Sequence, residues 1–219
     1  MKHWVILNLH RIIADGSWVF GASLPRLTAL NSRRRPDRDG LSRQIAFWRR
    51  QLAGDLPTLP LFTDRDRPAV PSFRLASEPV TLTPELVQAA NSLGRQEAVT
   101  PFVTFLAAFA VLLHRYTEQD EILVGAPVDD ESHHGIGHVV GVLANPLVLR
   151  INLSGDPTFR TLLSRVNKVV LDAYANRDLP LLQLIDALQP QRHANQTPLF
   201  QVMFALQDPL PASVDRSGR

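Results

Sequence analysis

The chain has 219 residues, enough for one large domain or two small ones with a sizeable buried core. Its composition, 45% hydrophobic and 20% charged, is typical of a globular protein in water, and the net charge of +2 is too small to favour a nucleic-acid partner. Without cysteine the chain has no disulfide, thiolate metal ligand or thiol nucleophile, which fits a reducing cytoplasm.

The N-terminal run MKHWVILNLH predicts a strand over 5–9. It is too short for a membrane span and lacks a small-residue cleavage site, so we expect a cytoplasmic protein with no membrane partner. Residues 15–17, Asp-Gly-Ser, predict a turn, and 18–30 predict a helix that Pro25 kinks. The charged stretch NSRRRPDRDG, 31–40, predicts a solvated linker.

The next stretch predicts a helix and then an extended segment. The helix covers 41–54, with Gly54 as its stop. Its buriable side chains are Ile45, Phe47, Trp48 and Leu52. The proline-rich residues 55–72 are unsuited to a central strand, and we expect them to cross between two lobes. FRLASEPVTL, 73–82, predicts an edge strand.

Three further helices have recognisable start signals. Thr83 and Thr100 each precede a proline, and Asp156 is predicted to cap a third helix. The helix that follows Thr100 is expected to be buried on most sides, because large apolar residues recur in it at helical spacing. These residues are Phe102, Phe105, Leu106, Phe109, Leu112, Leu113 and Tyr116.

Strands and helices alternate through the second half of the chain. Strands are predicted in EILVGAPV (121–128), GVLANPLVLRINL (141–153) and PLFQVMFAL (198–206), and a short helix in LPLLQLIDAL (179–188). With no internal repeat, this alternation predicts the α/β class.

LHRIIADG, 9–16, has the clearest chemical content. A histidine four residues before an Asp-Gly turn would be an acid/base group held at the end of a strand. Here that position is Arg11, which stays protonated and cannot accept a proton. His10 is one residue early, and adjacent residues of a strand point to opposite faces. The residues alone leave open a working site, a disabled site and no site.

Five colinear segments carry a resemblance to a known family. They are LHRIIADG, AFWRRQLAGDLPTLPLFTDRDRP, TPFVTFLAAFAVLLHRYTEQDEILVGAPV, VVGVLANPLVLRINLSGDPTFRTLL and AYANRDLPLLQLIDALQPQRHANQTPLFQVMFALQ. Together they resemble the condensation domain of nonribosomal peptide synthetases, a family with the chloramphenicol acetyltransferase-like fold. The resemblance covers about 4–208 and implies a mixed β-sheet flanked by helices.

The resemblance also implies a chemistry. The family has two related lobes with a tunnel between them and a signature, His-His-x-x-x-Asp-Gly, at the end of the first lobe. Its substrates arrive on the phosphopantetheine arms of carrier proteins, so the chain itself would bind no cofactor. The second histidine would assist attack of the acceptor amine on the donor thioester. The expected partners are peptidyl or aminoacyl carrier proteins or other synthetase modules.

The candidate site residues are the degenerate signature and one asparagine of the predicted tunnel. They are His10, Arg11, Asp15, Gly16 and Asn145. For Asp15 a role in the turn or as a helix cap is favoured, for His10 a partly buried hydrogen-bonded ring, and for Arg11 a solvent-facing side chain. Asn145 matches a family asparagine beside the tunnel floor, and a β-bulge before Pro146 fits it equally well.

The loop DDESHHGIGH, 129–138, gathers three histidines and three carboxylates. Its glycines break the segment, and no helical spacing preorganises the side chains, so we expect no metal site there. The family usually shows Gly-Arg where this chain has Asp129 and Asp130.

The resemblance divides the chain into four parts. They are a first-lobe remnant with the signature and linker (1–40), a helix and crossing segment (41–72), most of the second lobe (73–208) and a disordered tail (209–219). The expected function is a partial condensation domain, inactive alone because Arg11 fills the catalytic position. The alternatives are a non-catalytic module that docks carrier proteins or a synthetase subunit, and an enzyme active only when the missing lobe is supplied in trans.

Two further expectations concern the molecule's surroundings. The apolar face left open by the missing lobe predicts self-association. All basic residues except those at 2 and 168 are arginine, a bias that favours a GC-rich bacterial genome.

Overall fold

The computed structural model describes residues 4–8, 38–63, 76–128, 145–190 and 197–207. These residues form four strands and five helices. In chain order they are β1 (Trp4–Asn8), α1 (Arg38–Gln51), α2 (Pro84–Gln96), α3 (Pro101–Thr117), β2 (Glu121–Ala126), β3 (Leu147–Asn152), α4 (Phe159–Ala175), α5 (Leu181–Leu188) and β4 (Val202–Gln207). The helix predicted over 18–30 and the tail predicted over 209–219 lie outside the described residues.

The strands form one mixed sheet in the order β1-β4-β2-β3. β2 and β3 are antiparallel, with Glu121 opposite Asn152, and β1 and β4 are antiparallel, with Asn8 opposite Met203. β4 runs parallel to β2. This mixed sheet with its helices confirms the predicted α/β class.

One face of the sheet packs against α3 and α4. Alternation along the strands puts Val124, Ile151 and Phe204 on this face, and all three are buried. The Phe204 ring stacks on Phe109 of α3 at 5.6 Å and meets Phe102 at 5.5 Å. Such ring pairs add stabilisation to the area that they bury.

The other face of the sheet carries Gly125 and the segment that follows α1. A Cβ on Gly125 would lie 2.5 Å from the ring of Phe200, so this position has room only for glycine. Arg150 donates to the carbonyl of Ala53, just beyond α1, and to Glu121 on the adjacent strand, both at 2.6 Å. The arginine therefore ties the end of α1 to the edge of the sheet.

The N-caps of α2 and α3 are as predicted, and that of α4 is not. The hydroxyls of Thr83 and Thr100 accept the amides of Leu86 and Val103, each at 3.3 Å. The cap of α4 is Thr158 instead of Asp156: its hydroxyl accepts the amide of Thr161 at 3.2 Å. Asp156 has a left-handed φ of 46° and belongs to the turn that follows β3.

The burial of α3 differs from the prediction in its details. The helix is buried on most sides, but Leu112 and Tyr116 are 45% and 60% exposed. Small residues take the closest positions instead, since Ala107 and Ala110 are fully buried. On α2, a Cβ at Gly94 would lie 2.6 Å from the hydroxyl of Thr104, so the two helices approach closely there.

Two boundaries near the crossing segment also differ. Residues 38–40, predicted as part of the linker, form the first turn of α1, where Asp39 suits the positive end of the helix dipole. Residues 76–82, the described part of the predicted edge strand, pair with no strand among the described residues. Pro79 lacks the N–H that such pairing needs, and Val80 is 70% exposed.

Within the described ranges no single helix is long and apolar enough to cross a membrane; α2 and α3 pass that test only as a pair bent by 110°.

Candidate functional site

The predicted site residues fall into two groups. The signature residues His10, Arg11, Asp15 and Gly16 lie outside the described residues. Asn145 is described and stands two residues before β3. The candidate site is therefore built from Asn145 and the elements around it.

Asn145 binds the turn between α4 and α5. Its Nδ2 donates to the carbonyls of Arg177, at 2.9 Å, and Leu179, at 2.8 Å. Its Oδ1 accepts the amide of Leu181 at 2.9 Å. The register of β2 and β3 runs unbroken to Leu147, so the described part of the ladder has no bulge. The side chain holds three backbone groups of one turn.

Helix α1 holds the same turn from its own side. Gln44 accepts the amide of Leu179 at 2.9 Å and donates to the Asp178 carboxylate at 3.0 Å. The buried indole of Trp48 donates to the carbonyl of Asn176 at 2.9 Å. We call residues 176–181, fixed by Asn145, Gln44 and Trp48, the clamped turn.

The clamped turn and the end of α4 before it present a charged and an aromatic group to solvent. The Arg177 guanidinium lies 5.8 Å from the centre of the Tyr174 ring, and both residues are accessible. A cation over an aromatic face is a weak attraction at an exposed site. The turn therefore combines a fixed backbone with side chains that remain accessible.

Asn145 and the end of β1 lie far apart in the sheet. β1 and β3 are its two outer strands, and the two intervening strands separate them by roughly 14 Å. β1 is antiparallel to β4 and so ends toward the edge at which β2 begins, whereas Asn145 lies where β2 ends. The described residues do not bring Asn145 close to the end of the strand that leads into the signature.

A shallow depression lies between α2, α3 and the end of β4. It has a volume of about 270 Å³, and its polar groups include Asn91 and Arg95. Val99, Phe105 and Leu206 supply apolar surface to it. The Oδ1 of Asn91 is buried and accepts no hydrogen bond within the described part of the chain. The volume of the depression lies below the roughly 300–1,000 Å³ that is usual for small-molecule sites.

Metal binding finds no support in the described ranges, where no group of three or more His, Asp or Glu side chains could hold an ion. The His-rich loop 129–138, with Asp129 and Asp130, lies outside them.

Sequence reasoning misses the clamped turn as a unit. The sequence predicts a buried Trp48, and a buried indole N–H needs an acceptor, so one signal is available. Nothing in the sequence says that the acceptor is the carbonyl of Asn176, 128 residues away. Gln44 carries no signal of its own, because a glutamine on an amphipathic helix is ordinarily a surface residue.

The fold and family of the chain follow from comparison with known proteins. The layered mixed sheet is the chloramphenicol acetyltransferase-like α/β fold, shared with solved condensation domains. The family described as Condensation domain matches residues 30–215. The chain belongs to this family, the condensation domains of nonribosomal peptide synthetases.

Its relatives are much longer than the chain. One of the linear gramicidin synthase proteins of Brevibacillus parabrevis is 40% identical over 93% of this chain, which spans 4% of that protein. Phosphinothricin tripeptide synthetase PhsB from Streptomyces viridochromogenes is 36% identical over 97% of this chain, which spans 18% of it.

Among solved structures, the X-domain from teicoplanin biosynthesis matches 82% of this chain with a TM-score of 0.71 and 28% identity. The match covers 39% of the X-domain chain. A four-domain nonribosomal peptide synthetase, bound to AMP and glycine, matches 81% of this chain with a TM-score of 0.70 and 20% identity, over 14% of its own length. At that identity the likeness shows the fold alone.

Proposed function

We propose that the chain supplies the second lobe of a condensation domain, over 73–208, and a remnant of the first lobe with the signature, over 1–40. The complete domain would join acyl and aminoacyl groups carried on the phosphopantetheine arms of partner carrier proteins. The match of the Condensation domain family to 30–215 carries this proposal. The 39% coverage of the X-domain chain supports the assignment of about one lobe.

The 219-residue polypeptide does not catalyse condensation by itself. In the signature, His10 takes the first position and Arg11 the second, the position that the resemblance assigns to the catalytic histidine. A guanidinium stays protonated and cannot take a proton from the acceptor amine. Asp15 and Gly16 match the last two positions of the signature. One lobe also holds the two thioesters less firmly than two facing lobes would, so their proximity contributes less to the rate.

The test compares the chain with a version whose catalytic position is restored. The purified chain is mixed with acyl-loaded and aminoacyl-loaded carrier proteins, with and without a separately expressed first lobe of a relative, and the amide product is quantified by mass spectrometry. We expect background product from the chain alone. With the first lobe added, Arg11→His should accelerate the reaction by about 100- to 10,000-fold, the usual contribution of a general base.

Arg11→Gln is the matched control, because it removes the guanidinium without adding a group that accepts a proton at neutral pH. It should leave the complemented rate at background. Turnover by the unaltered chain alone would overturn the inactivity, and a complemented Arg11→His chain no faster than Arg11→Gln would overturn the role of that position.

A second candidate function is docking without catalysis. The X-domain of teicoplanin biosynthesis has been solved in complex with OxyB, and it resembles this chain at 28% identity and a TM-score of 0.69. A domain of this fold can therefore bind a second protein; this chain matches 38% of that X-domain chain. The partner would be a carrier protein or a synthetase subunit.

Binding separates the two functions. Carrier proteins loaded with a non-hydrolysable thioester mimic are titrated into the chain and followed by isothermal calorimetry. Measurable binding together with background turnover after Arg11→His and complementation favours the docking module. Turnover under those conditions favours the condensation lobe.

A further inference from the structure

We infer that Asn145 is a positioning residue: it fixes the clamped turn against α1 and has no hydrogen-bond donor left for a substrate. An asparagine side chain has two N–H donors and one oxygen acceptor with two lone pairs. Both donors are used, toward the carbonyls of Arg177 and Leu179. The oxygen accepts the amide of Leu181 and accepts no second hydrogen bond from the described residues.

This use of the donors excludes one role for Asn145. An asparagine that stabilises a developing oxyanion must direct an N–H at the reacting oxygen. Here both N–H groups point at main-chain oxygens at 2.8–2.9 Å, and breaking either bond would leave a carbonyl without its partner. Asn145 can therefore lie beside the tunnel floor, as the resemblance implies, and act there only by holding the clamped turn.

The clamped turn links Asn145 to α1, because residues of the turn are hydrogen-bonded to both. Leu179 is held through its carbonyl by Asn145 and through its amide by Gln44. Three residues before Leu179, the Asn176 carbonyl accepts the Trp48 indole. A change at Asn145 should thus move the contacts of two α1 side chains that Asn145 itself does not bond.

Helix α1 is the first described element after the signature in the chain. The way in which it docks on the clamped turn sets where the chain enters the second lobe. Only this last step rests on the proposed function. The coupling between Asn145 and Trp48 holds whether or not the chain takes part in condensation, so its failure is distinguishable from a failure of the proposed function.

The experiment reads the indole N–H resonance of Trp48 in the full 219-residue chain by heteronuclear NMR. The chain has three tryptophans, and Trp48→Phe assigns the signal by its loss. Asn145→Ala should shift the Trp48 resonance and speed hydrogen exchange of the Leu181 amide by roughly 10-fold or more, since that amide loses its acceptor. Asn152→Ala is the matched control: Asn152 bonds Ser154 and Glu121, and its loss should leave the indole signal in place.

A second variant adds a pH readout. Asn145→Asp keeps an acceptor for Leu181 but, when ionised, sets a carboxylate against two carbonyls, which raises the pKa of the introduced carboxyl. When protonated it regains one donor. Its Trp48 signal should therefore approach that of the unaltered chain at low pH and depart from it as the pH rises above about 4. Charged residues lie on every element around it: Arg177 and Asp178 on the clamped turn, Arg38, Asp39, Arg43, Arg49 and Arg50 on α1, Arg160, Arg165, Lys168 and Asp172 on α4, and Asp186 on α5. Asn145→Ala carries the same groups, so the difference between the two variants isolates the introduced carboxyl.

Each result either supports or overturns the coupling between Asn145 and Trp48. An unchanged Trp48 resonance in Asn145→Ala, or an Asn145→Asp signal with the pH dependence of Asn145→Ala, overturns the coupling. If Asn145→Ala fails to fold, two measurements remain: exchange at Leu181 in the unaltered chain and in Gln44→Ala. Fast Leu181 exchange in the unaltered chain, comparable with an exposed amide, overturns the clamp. Slow exchange that Gln44→Ala accelerates supports the coupling from the α1 side.

Discussion

At the scale of the residue, Gly125 and Phe200 interlock. The ring fills the space in which any other residue at 125 would place its Cβ. Gly125→Ala should lower the free energy of unfolding by about 1–3 kcal/mol, the usual cost of overpacking a buried contact. Urea denaturation followed by circular dichroism measures it.

Phe200→Leu provides the matched background for that prediction, because it removes the ring that the added methyl would meet. Gly125→Ala should cost less in the Phe200→Leu chain than in the unaltered one, and the difference is the coupling energy of the pair. Equal costs in both backgrounds would show that the contact with Phe200 is not the reason for glycine at this position.

The residue scale also shows how far sequence reasoning reaches. Asn145 could be singled out from the sequence, because a resemblance to a family motif marks a position. Its partners could not, because they are main-chain atoms of residues 32–36 positions away. Every residue has a main-chain carbonyl, so the sequence does not indicate which carbonyl a given side chain will bond.

At the scale of the element, Thr158 starts α4. Thr158→Ala should lower the free energy of unfolding by about 1 kcal/mol, since it leaves the amide of Thr161 without its acceptor. Thr158→Ser keeps the hydroxyl and should restore most of that loss. Thermal unfolding of the three chains gives the comparison.

Asp156→Gly tests the competing assignment. Glycine accepts the left-handed φ of Asp156 without strain, so the change should be nearly neutral if the aspartate only occupies a turn. If Thr158→Ala left the free energy of unfolding unchanged and Asp156→Gly lowered it, Asp156 would be the cap.

Element starts were predictable where a single candidate stood at the right place. Thr83 and Thr100 each precede a proline at the first helical position, and the structure confirms both caps. The sequence GDPT offers two capping residues, and the turn decides between them: Gly155 and Asp156 both take left-handed φ values on leaving β3. Which residue caps α4 depends on where β3 ends in space. The sequence pattern of a helix cap gives no information about that position.

The exposed residues of α3 likewise depend on how the elements pack in space. Helical periodicity correctly predicts that the helix contributes to the core, and Leu106, Phe109 and Leu113 are buried. Helical periodicity does not predict which other elements pack against each side of the helix. Because α2 approaches at Gly94 and the sheet at Phe204, Leu112 and Tyr116 are left on a side that none of the described elements covers fully.

At the scale of the whole molecule, we predict that the isolated chain self-associates. β1 and β3 are the outer strands of the described sheet, and an outer strand offers unpaired backbone groups to a second copy. Sedimentation velocity over a range of concentrations should show dimers or larger species. A clean monomer at every concentration would contradict the prediction.

A variant of α3 identifies the surface involved. Leu112→Lys combined with Tyr116→Lys adds charge to the exposed apolar side of the helix and leaves the sheet untouched. If copies join through a strand edge, the species distribution should stay the same. Loss of the larger species would locate the contact on α3 instead.

The clamped turn has a consequence for protein engineering. Asn145 and Trp48 bond only to main-chain carbonyl and amide groups of the turn. Every residue except proline has both of these groups. The side chains at 177 and 178 can therefore be exchanged without disturbing the bonds of Asn145 and Trp48, at the loss of two exposed contacts, between Gln44 and Asp178 and between Arg177 and Tyr174. A library randomised at these two positions would vary the exposed side chains while the backbone of the turn stays fixed. The turn is therefore a suitable place to introduce new binding specificities by substitution.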